Sequence, residues 1–159
     1  VLGEAAEAGD SLGGVAEAWV CGLPVGLGAP FFDSLESAVS HVVFSIPGVK
    51  GVEFGDGFAS ARARGSVNND PFVLENGQVR LAGNRHGGIL GGLSSGAPLV
   101  LRVAFKPTAS IAQPQDSVDL RRGEPVRLEI RGRHDPCFAL RAVPCLEAAL
   151  AIALADHML

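Results

Sequence analysis

Residues 98–107 read P-L-V-L-R-V-A-F-K-P, a β-branched and apolar run that ends at a proline. Such a run reads as a strong β-strand, and Pro107, which has no backbone N–H to give to a ladder, ends it. A strand this apolar has to be buried under something, so the segments on either side decide the fold. Gly13 to Gly22 (G-G-V-A-E-A-W-V-C-G) partly alternates and carries Val15, Trp19 and Val20. It predicts another strand, closed by the turn-rich L-P-V-G-L-G-A-P. Asp33 and Ser34 then stand before L-E-S-A-V-S-H-V-V-F-S-I, where Leu35, Ala38, Val39, Val42, Val43 and Ile46 follow helical spacing. This predicts an N-capped amphipathic helix that Pro47-Gly48 stops. V-K-G-V-E-F-G follows as a short strand with Val49, Val52 and Phe54 apolar.

The second half is less regular. Gly55 to Asp70 is rich in small, charged and amide residues and suits a polar loop whose arginines can face an anion. Pro125 to Arg131 alternates Val126, Leu128 and Ile130 with Arg127, Glu129 and Arg131, which predicts a half-buried strand with the aliphatic residues inward. Val143 to Leu159 predicts a terminal helix with Pro144 near its first turn. Strands and helices interleave without a strict βαβ rhythm and without an internal repeat, so the expected class is α+β.

Bulk properties narrow the function. A formal net charge of -4 and the absence of a basic face argue against a nucleic-acid binder. Cys21, Cys137 and Cys145 are odd in number, widely spaced and free of any C-x-x-C pair. They fit neither a disulfide framework nor a zinc site, so no metal is expected and a reducing cytoplasm is the simpler compartment. The terminal helix is interrupted by Glu147, Asp156 and His157, and the acidic start V-L-G-E-A-A-E-A-G-D lacks the pattern of a signal peptide. Neither a leader nor a membrane span is expected. The chain begins with valine inside an alanine-rich helix end, which suggests that sequence upstream is missing.

Three stretches carry candidate chemistry. G-G-I-L-G-G-L-S-S-G (87–96) lets a backbone approach a cofactor, yet its spacing matches neither G-x-G-x-x-G nor a Walker loop, and a structural loop is the plainer reading. K-P-T-A-S, Lys106 to Ser110, puts a lysine, hydroxyls and backbone amides at the end of the strongest strand, where they can converge on a phosphate; an ordinary strand exit with a solvated lysine is the alternative. G-R-H-D-P-C (132–137) holds a cation, an imidazole, a carboxylate and a thiol. Neighbouring side chains in an extended segment point to opposite sides, so a self-contained Cys-His-Asp triad or a single-ion site is disfavoured. Arg133 and Asp135 on one side and His134 on the other is the split that geometry allows. The dipole of the terminal helix behind them favours an anion nearby.

R-H-D-P-C followed by F-A-L-R-A-V-P-C-L-E-A-A-L-A-I-A-L resembles the C-terminal signature of the chorismate synthase family. Four further blocks are similar to that family in the same order: D-S-L-G-G-V-A-E, G-L-P-V-G-L-G-A-P-F-F-D, S-I-P-G-V-K-G-V-E-F-G-D-G-F, and N-R-H-G-G-I-L-G-G-L-S-S-G followed by F-K-P-T-A-S. The resemblance implies a sandwich of antiparallel sheets and helices, here partial, with residues 1–159 forming the C-terminal part of one domain whose N-terminal half is absent. It implies a trans-1,4 elimination of phosphate from 5-enolpyruvylshikimate 3-phosphate, giving chorismate. The reaction needs reduced FMN without net redox change, and in some members NADPH reduces the flavin. It also implies a homotetramer, with no nucleic acid and no membrane as partner. Carried over by motif, the cofactor-binding positions are Pro47, Gly48, Gly91, Lys106, Pro107, Thr108, Ala109, Ser110 and Arg133. Arg133 and Asp135 are the catalytic candidates, Arg133 as a cationic clamp and Asp135 as a proton relay beside the flavin ring.

The departures bear on function. The family's G-E-S-H-G motif, a second functional histidine, several substrate-binding arginines and an S-A-R segment belong to an N-terminal half that is not in this sequence; Ser60 to Arg62 repeats those last letters in the wrong block. His41, His86, His134 and His157 are therefore expected at the surface or in structural roles. Two classes remain, an enzyme that acts when joined to its other half and a non-catalytic fragment or interaction module of the same fold.

Overall fold

The computed structural model describes residues 1–159. A short helix α1 (Leu2–Glu7) leads into strand β1 (Gly14–Val20), helix α2 (Leu35–Val43) and strand β2 (Val49–Phe54). A 3-10 turn at Gly57–Arg62 and the one-turn α3 (Gly65–Asn68) occupy the region expected as polar loop. Two hairpins follow, β3 (Phe72–Glu75) with β4 (Gln78–Leu81) and the small β5 (Ile89–Leu90) with β6 (Leu93–Ser94). Strand β7 (Leu99–Phe105), the hairpin of β8 (Gln115–Asp119) with β9 (Glu124–Leu128), and helix α4 (Ala139–Met158) complete an α+β chain.

The Pro98–Pro107 run is the centre of the molecule. As β7 it pairs antiparallel with β1 on one side and β2 on the other, in the order β1-β7-β2. Its alternation sorts its side chains cleanly: Leu99, Leu101, Val103 and Phe105 are buried, while Val100, Arg102 and Ala104 turn to the other face. Helices α2 and α4 cover the first face. Leu35, Val39 and Val43 recur at i, i+4 and i+8 and line the side of α2 that is buried. From α4 come Ala142, Leu146, Ala149, Leu150, Ala153 and Leu154, whose small residues let the helix approach the sheet closely. Ser34 caps α2, its hydroxyl accepting from the Ser37 N–H at 3.2 Å.

On the second face, Arg102 forms an ion pair with Glu53 at 2.7 Å and donates to the Gly55 carbonyl at 2.8 Å, so the one cation in β7 is neutralised across the ladder. Val15 and Trp19 also point to this side and are exposed; Ala16, Ala18 and Val20 are the β1 residues that pack toward the core. No helix of the molecule is long and apolar enough to cross a membrane.

Two expectations are corrected. Helix α4 starts at Ala139, four residues before the expected Val143, because the Phe138 carbonyl accepts from Arg141 and Ala142 and closes a first turn ahead of the proline. Pro144 thus lies inside the helix, which forgoes the bond to the carbonyl of Leu140. The strand expected over Pro125 to Arg131 forms as Glu124–Leu128, yet Val126 and Leu128 are exposed rather than inward. Its only partner is β8, and neither helix layer extends over that hairpin.

Candidate functional site

The end of the sheet where β7 stops gathers segments that are remote in sequence. Lys106 N–H donates to the Gly48 carbonyl at 2.9 Å, tying K-P-T-A-S to the Pro47-Gly48 turn. Gly48 has φ +90°, a backbone shape suited to glycine, and a Cβ there would run into the ring of Phe138. Phe138 in turn packs edge-on against Phe105, with ring centres 6.0 Å apart. The N-terminus of α4, the end of β7 and the turn after α2 are thereby locked together by one aromatic side chain.

A third strap crosses the same place. Ser11, buried, donates its hydroxyl to the Thr108 carbonyl at 2.7 Å, and Leu12 N–H donates to the Pro136 carbonyl at 2.7 Å. Ser11 to Gly13 therefore lies between the Lys106–Ser110 loop and the Asp135–Cys137 turn. The sequence block D-S-L-G-G was read only as part of the resemblance; its role as the strap had no signal in composition or spacing, because the Ser11 hydroxyl and the Leu12 N–H both bond to backbone carbonyls remote in sequence.

The candidate residues differ in how they are held. Asp135 accepts from the Cys137 N–H at 3.2 Å and forms an ion pair with Arg141 on the first turn of α4 at 3.2 Å, so its carboxylate is held at a helix N-terminus. Lys106 and Arg133 are exposed and have no carboxylate at ion-pair distance. Thr108 carries a buried side-chain oxygen without a hydrogen-bond partner. Two uncommitted cations and one orphaned hydroxyl suit a ligand with phosphate and amide or carbonyl groups, because buried polar atoms otherwise find partners. Cys137 is buried, its sulfur 3.9 Å from the Gly13 carbonyl, and packs as a small apolar residue. His134 contacts the Ile130 carbonyl at 3.0 Å.

Gly91 is not brought into this cluster. Its neighbour Gly92 accepts from Leu35 N–H at 2.9 Å, at the start of α2, whereas Pro47-Gly48 follows the end of α2. Strand β7 likewise separates the Gly88 contact at Leu99 from Lys106, and seven strand residues span roughly 20 Å. Pro107, Ala109 and Ser110 lie with Lys106 and Thr108 in the loop itself.

Sequence reasoning placed His86 among the structural histidines without naming a partner. Its Nδ1 lies 2.7 Å from Asp70, a carboxylate with 3% of its side chain exposed, and the same carboxylate accepts the His86 backbone N–H at 3.2 Å. The ring is turned out of hydrogen-bond alignment, and Nε2 is buried without a partner. This pair belongs to the Gly91 end of the molecule.

The whole chain, residues 1–159, matches the family model described as Chorismate synthase. It is 52% identical over 151 residues to a chorismate synthase of Korarchaeum cryptofilum, covering 95% of this chain and 42% of that protein. It is 54% identical over 151 residues to that of Chloroflexus aurantiacus, covering 94% and 41%. A solved structure described as "Crystal Structure of Chorismate Synthase" superposes with a TM-score of 0.78 at 31% identity, over 98% of this chain and 40% of that one. The chain thus spans about two fifths of the length of the relatives it matches. With the family model matched over the whole chain and a fold that superposes on a solved member, the chain belongs to the chorismate synthase family.

Proposed function

We propose that this chain is the C-terminal part of a chorismate synthase, a lyase of aromatic biosynthesis that eliminates phosphate from 5-enolpyruvylshikimate 3-phosphate to give chorismate. The observation that carries this reading is the convergence of Pro47-Gly48, Lys106–Ser110 and the Arg133–Cys137 turn at one end of the sheet, with Lys106 and Arg133 unpaired. Reduced FMN is the cofactor in this reading; when bound, it would supply electron density for loss of phosphate from one ring carbon, while the hydrogen removed from another ring carbon belongs to a C–H bond too weakly acidic for ordinary base catalysis.

The chain's own residues have separate tasks. Lys106 binds an anionic group of cofactor or substrate through its ammonium, and Thr108 meets a polar atom of the cofactor with its otherwise unpartnered hydroxyl. Arg133 holds negative charge between cofactor and substrate. Asp135, kept in place by Arg141 and the Cys137 N–H, holds or passes on the proton removed from the ring carbon. Gly91 contributes outside this cluster, and a homotetramer in the cytoplasm is the assembly in which the parent protein works. NADPH serves as the flavin reductant if the parent reduces its own cofactor.

A second reading stays open because the chain spans only about two fifths of its relatives. As it stands, the chain is a folded but inactive portion that needs the family's remaining residues for turnover. Adding reduced FMN and the enolpyruvyl substrate to the chain separates the two: no chorismate is expected, and measurable chorismate would overturn the inactive reading. In the full-length enzyme, Asp135→Asn is expected to lower turnover with FMN affinity retained; unchanged turnover would remove the relay role.

A further inference from the structure

The loop between the end of β7 and the β8–β9 hairpin is tied to the rest of the chain at few points. At its start Lys106 N–H donates to the Gly48 carbonyl, and at its far end the N–H groups of Ala112 and Gln113 donate to the Gly9 carbonyl at 3.0 and 3.2 Å. Between those anchors, residues 107–111 make a single hydrogen bond, from the Ser11 hydroxyl to the Thr108 carbonyl at 2.7 Å. Ser11 is 8% exposed, and its N–H donates to the Asp10 carboxylate at 2.7 Å, so the residue is fixed through both backbone and side chain. A buried hydroxyl is costly unless it is bonded, and the Thr108 carbonyl is what Ser11 bonds.

That bond acts one peptide further along. The Thr108–Ala109 peptide is trans, and in a planar trans unit the C=O and the N–H point in opposite directions. A Thr108 carbonyl pinned on Ser11 therefore turns the Ala109 N–H away from the strap. There it meets no backbone acceptor, and Ala109 itself is exposed. Thr108 also carries the buried hydroxyl that lacks a partner. One side of the loop is thus consumed by the strap, while the Ala109 N–H and the Thr108 hydroxyl remain for a ligand. Backbone N–H groups left free in a turn favour anionic partners. No other hydrogen bond in the chain sets the orientation of this peptide plane, and a loop held so sparsely opens locally once its tether is lost.

We propose that Ser11 is a positioning residue of the cofactor site: its hydroxyl fixes the Thr108–Ala109 peptide plane so that the Ala109 N–H is presented to an oxygen of FMN. This rests on the reading that K-P-T-A-S holds FMN, and adds to it a residue that touches neither cofactor nor substrate. The segment carrying Ser11 is itself well anchored. Leu12 N–H donates to the Pro136 carbonyl, and Gly13 lies so close to the end of β7 that a Cβ there would strike the Phe105 carbonyl.

The test is binding of oxidised FMN to the full-length enzyme, followed by quenching of flavin fluorescence, with Tm recorded for each variant. Ser11→Ala is expected to weaken FMN about tenfold, equivalent to roughly 1.4 kcal/mol, and to raise the half-saturating FMN concentration for turnover more than it lowers kcat. Ala109→Pro deletes the N–H at an exposed position and is expected to weaken FMN by a similar factor with Tm unchanged. Combining the two should add little to either alone, because both remove the same contact. A wild-type enzyme that binds no FMN overturns the cofactor reading and this inference together. With FMN bound by the wild type, equal affinity in Ser11→Ala or in Ala109→Pro overturns the inference alone, as do fully additive losses in the double variant. Should Ser11→Ala fail to fold, Ala109→Pro decides by itself: retained affinity refutes the role of that N–H, and a tenfold loss at native Tm supports it.

Discussion

Strands β7 and β9 each present one aliphatic face, Leu99, Leu101 and Val103 in β7 and Val126 and Leu128 in β9, and the two faces end in opposite situations. In β7 the apolar half is sealed, with Leu99, Leu101 and Val103 fully buried beneath α2 and α4. In β9 every residue is exposed, Val126 and Leu128 included. Alternation specifies that a strand has two unlike faces, because successive side chains point to opposite sides. It does not specify whether anything lies on the apolar one. Strand β7 obtains its cover from two amphipathic helices reached through β1 and β2, whereas β9 is paired only to its hairpin mate β8.

Truncation inside the two strands tests this contrast most severely. Leu101→Ala is expected to destabilise the chain by about 2–5 kcal/mol, the usual cost of a leucine removed from a packed core. Val126→Ala should stay within roughly 0.5 kcal/mol, as surface substitutions do. Urea denaturation of the two variants gives both values; similar losses would mean that the β8–β9 hairpin is covered after all.

The next contrast compares glycines rather than strands. Gly48 and Gly77 both have φ between +70° and +95°, at +90° and +77°. Placing alanine in a left-handed conformation costs roughly 1–2 kcal/mol at either position. At Gly77 the added Cβ meets open space, while at Gly48 it meets the Phe138 ring that joins α4 to β7. Gly48→Ala should therefore lower Tm more than Gly77→Ala, and should weaken FMN binding in the full-length enzyme as the Lys106–Ser110 loop shifts. Equal Tm losses would show that the ring moves aside freely.

Among the charged residues the effects should be smaller and should separate stability from binding. Lys106→Ala removes a cation with no partner within the chain, so stability should be unchanged within about 0.5 kcal/mol. FMN affinity of the full-length enzyme should nonetheless fall about tenfold, the loss of roughly 1.4 kcal/mol expected for one charge-assisted contact. Arg141→Ala breaks a pair between an exposed guanidinium and the half-buried Asp135 carboxylate, worth about 1 kcal/mol. Its useful readout is turnover at unchanged FMN affinity: a drop there shows that Arg141 positions the Asp135 carboxylate, and no change shows that the Cys137 N–H alone suffices.

Much of the fold was legible because local signals agreed with tertiary needs. Ser34 before an i, i+4, i+8 apolar stripe located α2, and the Pro98–Pro107 run located β7. The start of α4 was missed because Pro144 was read as a first-turn proline, while the real first turn is closed by the Phe138 carbonyl, which has no side-chain signature. At the candidate site, residue types in K-P-T-A-S and R-H-D-P-C revealed where charge could act. The strap through the Ser11 hydroxyl and the Leu12 N–H ends on backbone carbonyls remote in sequence and left no trace in the letters.

The sequence by itself determined the α+β class, the main helices and strands, and the family, because periodicity, capping residues and turn chemistry are local and the motifs are specific. Only the tertiary structure decided which apolar faces are covered, that Asp135 is held by Arg141, and that Gly91 stands at the far end from Lys106. Those outcomes depend on pairings between residues many positions apart, such as β1 with β7 or Ser11 with Thr108, and no local pattern encodes a partner that distant.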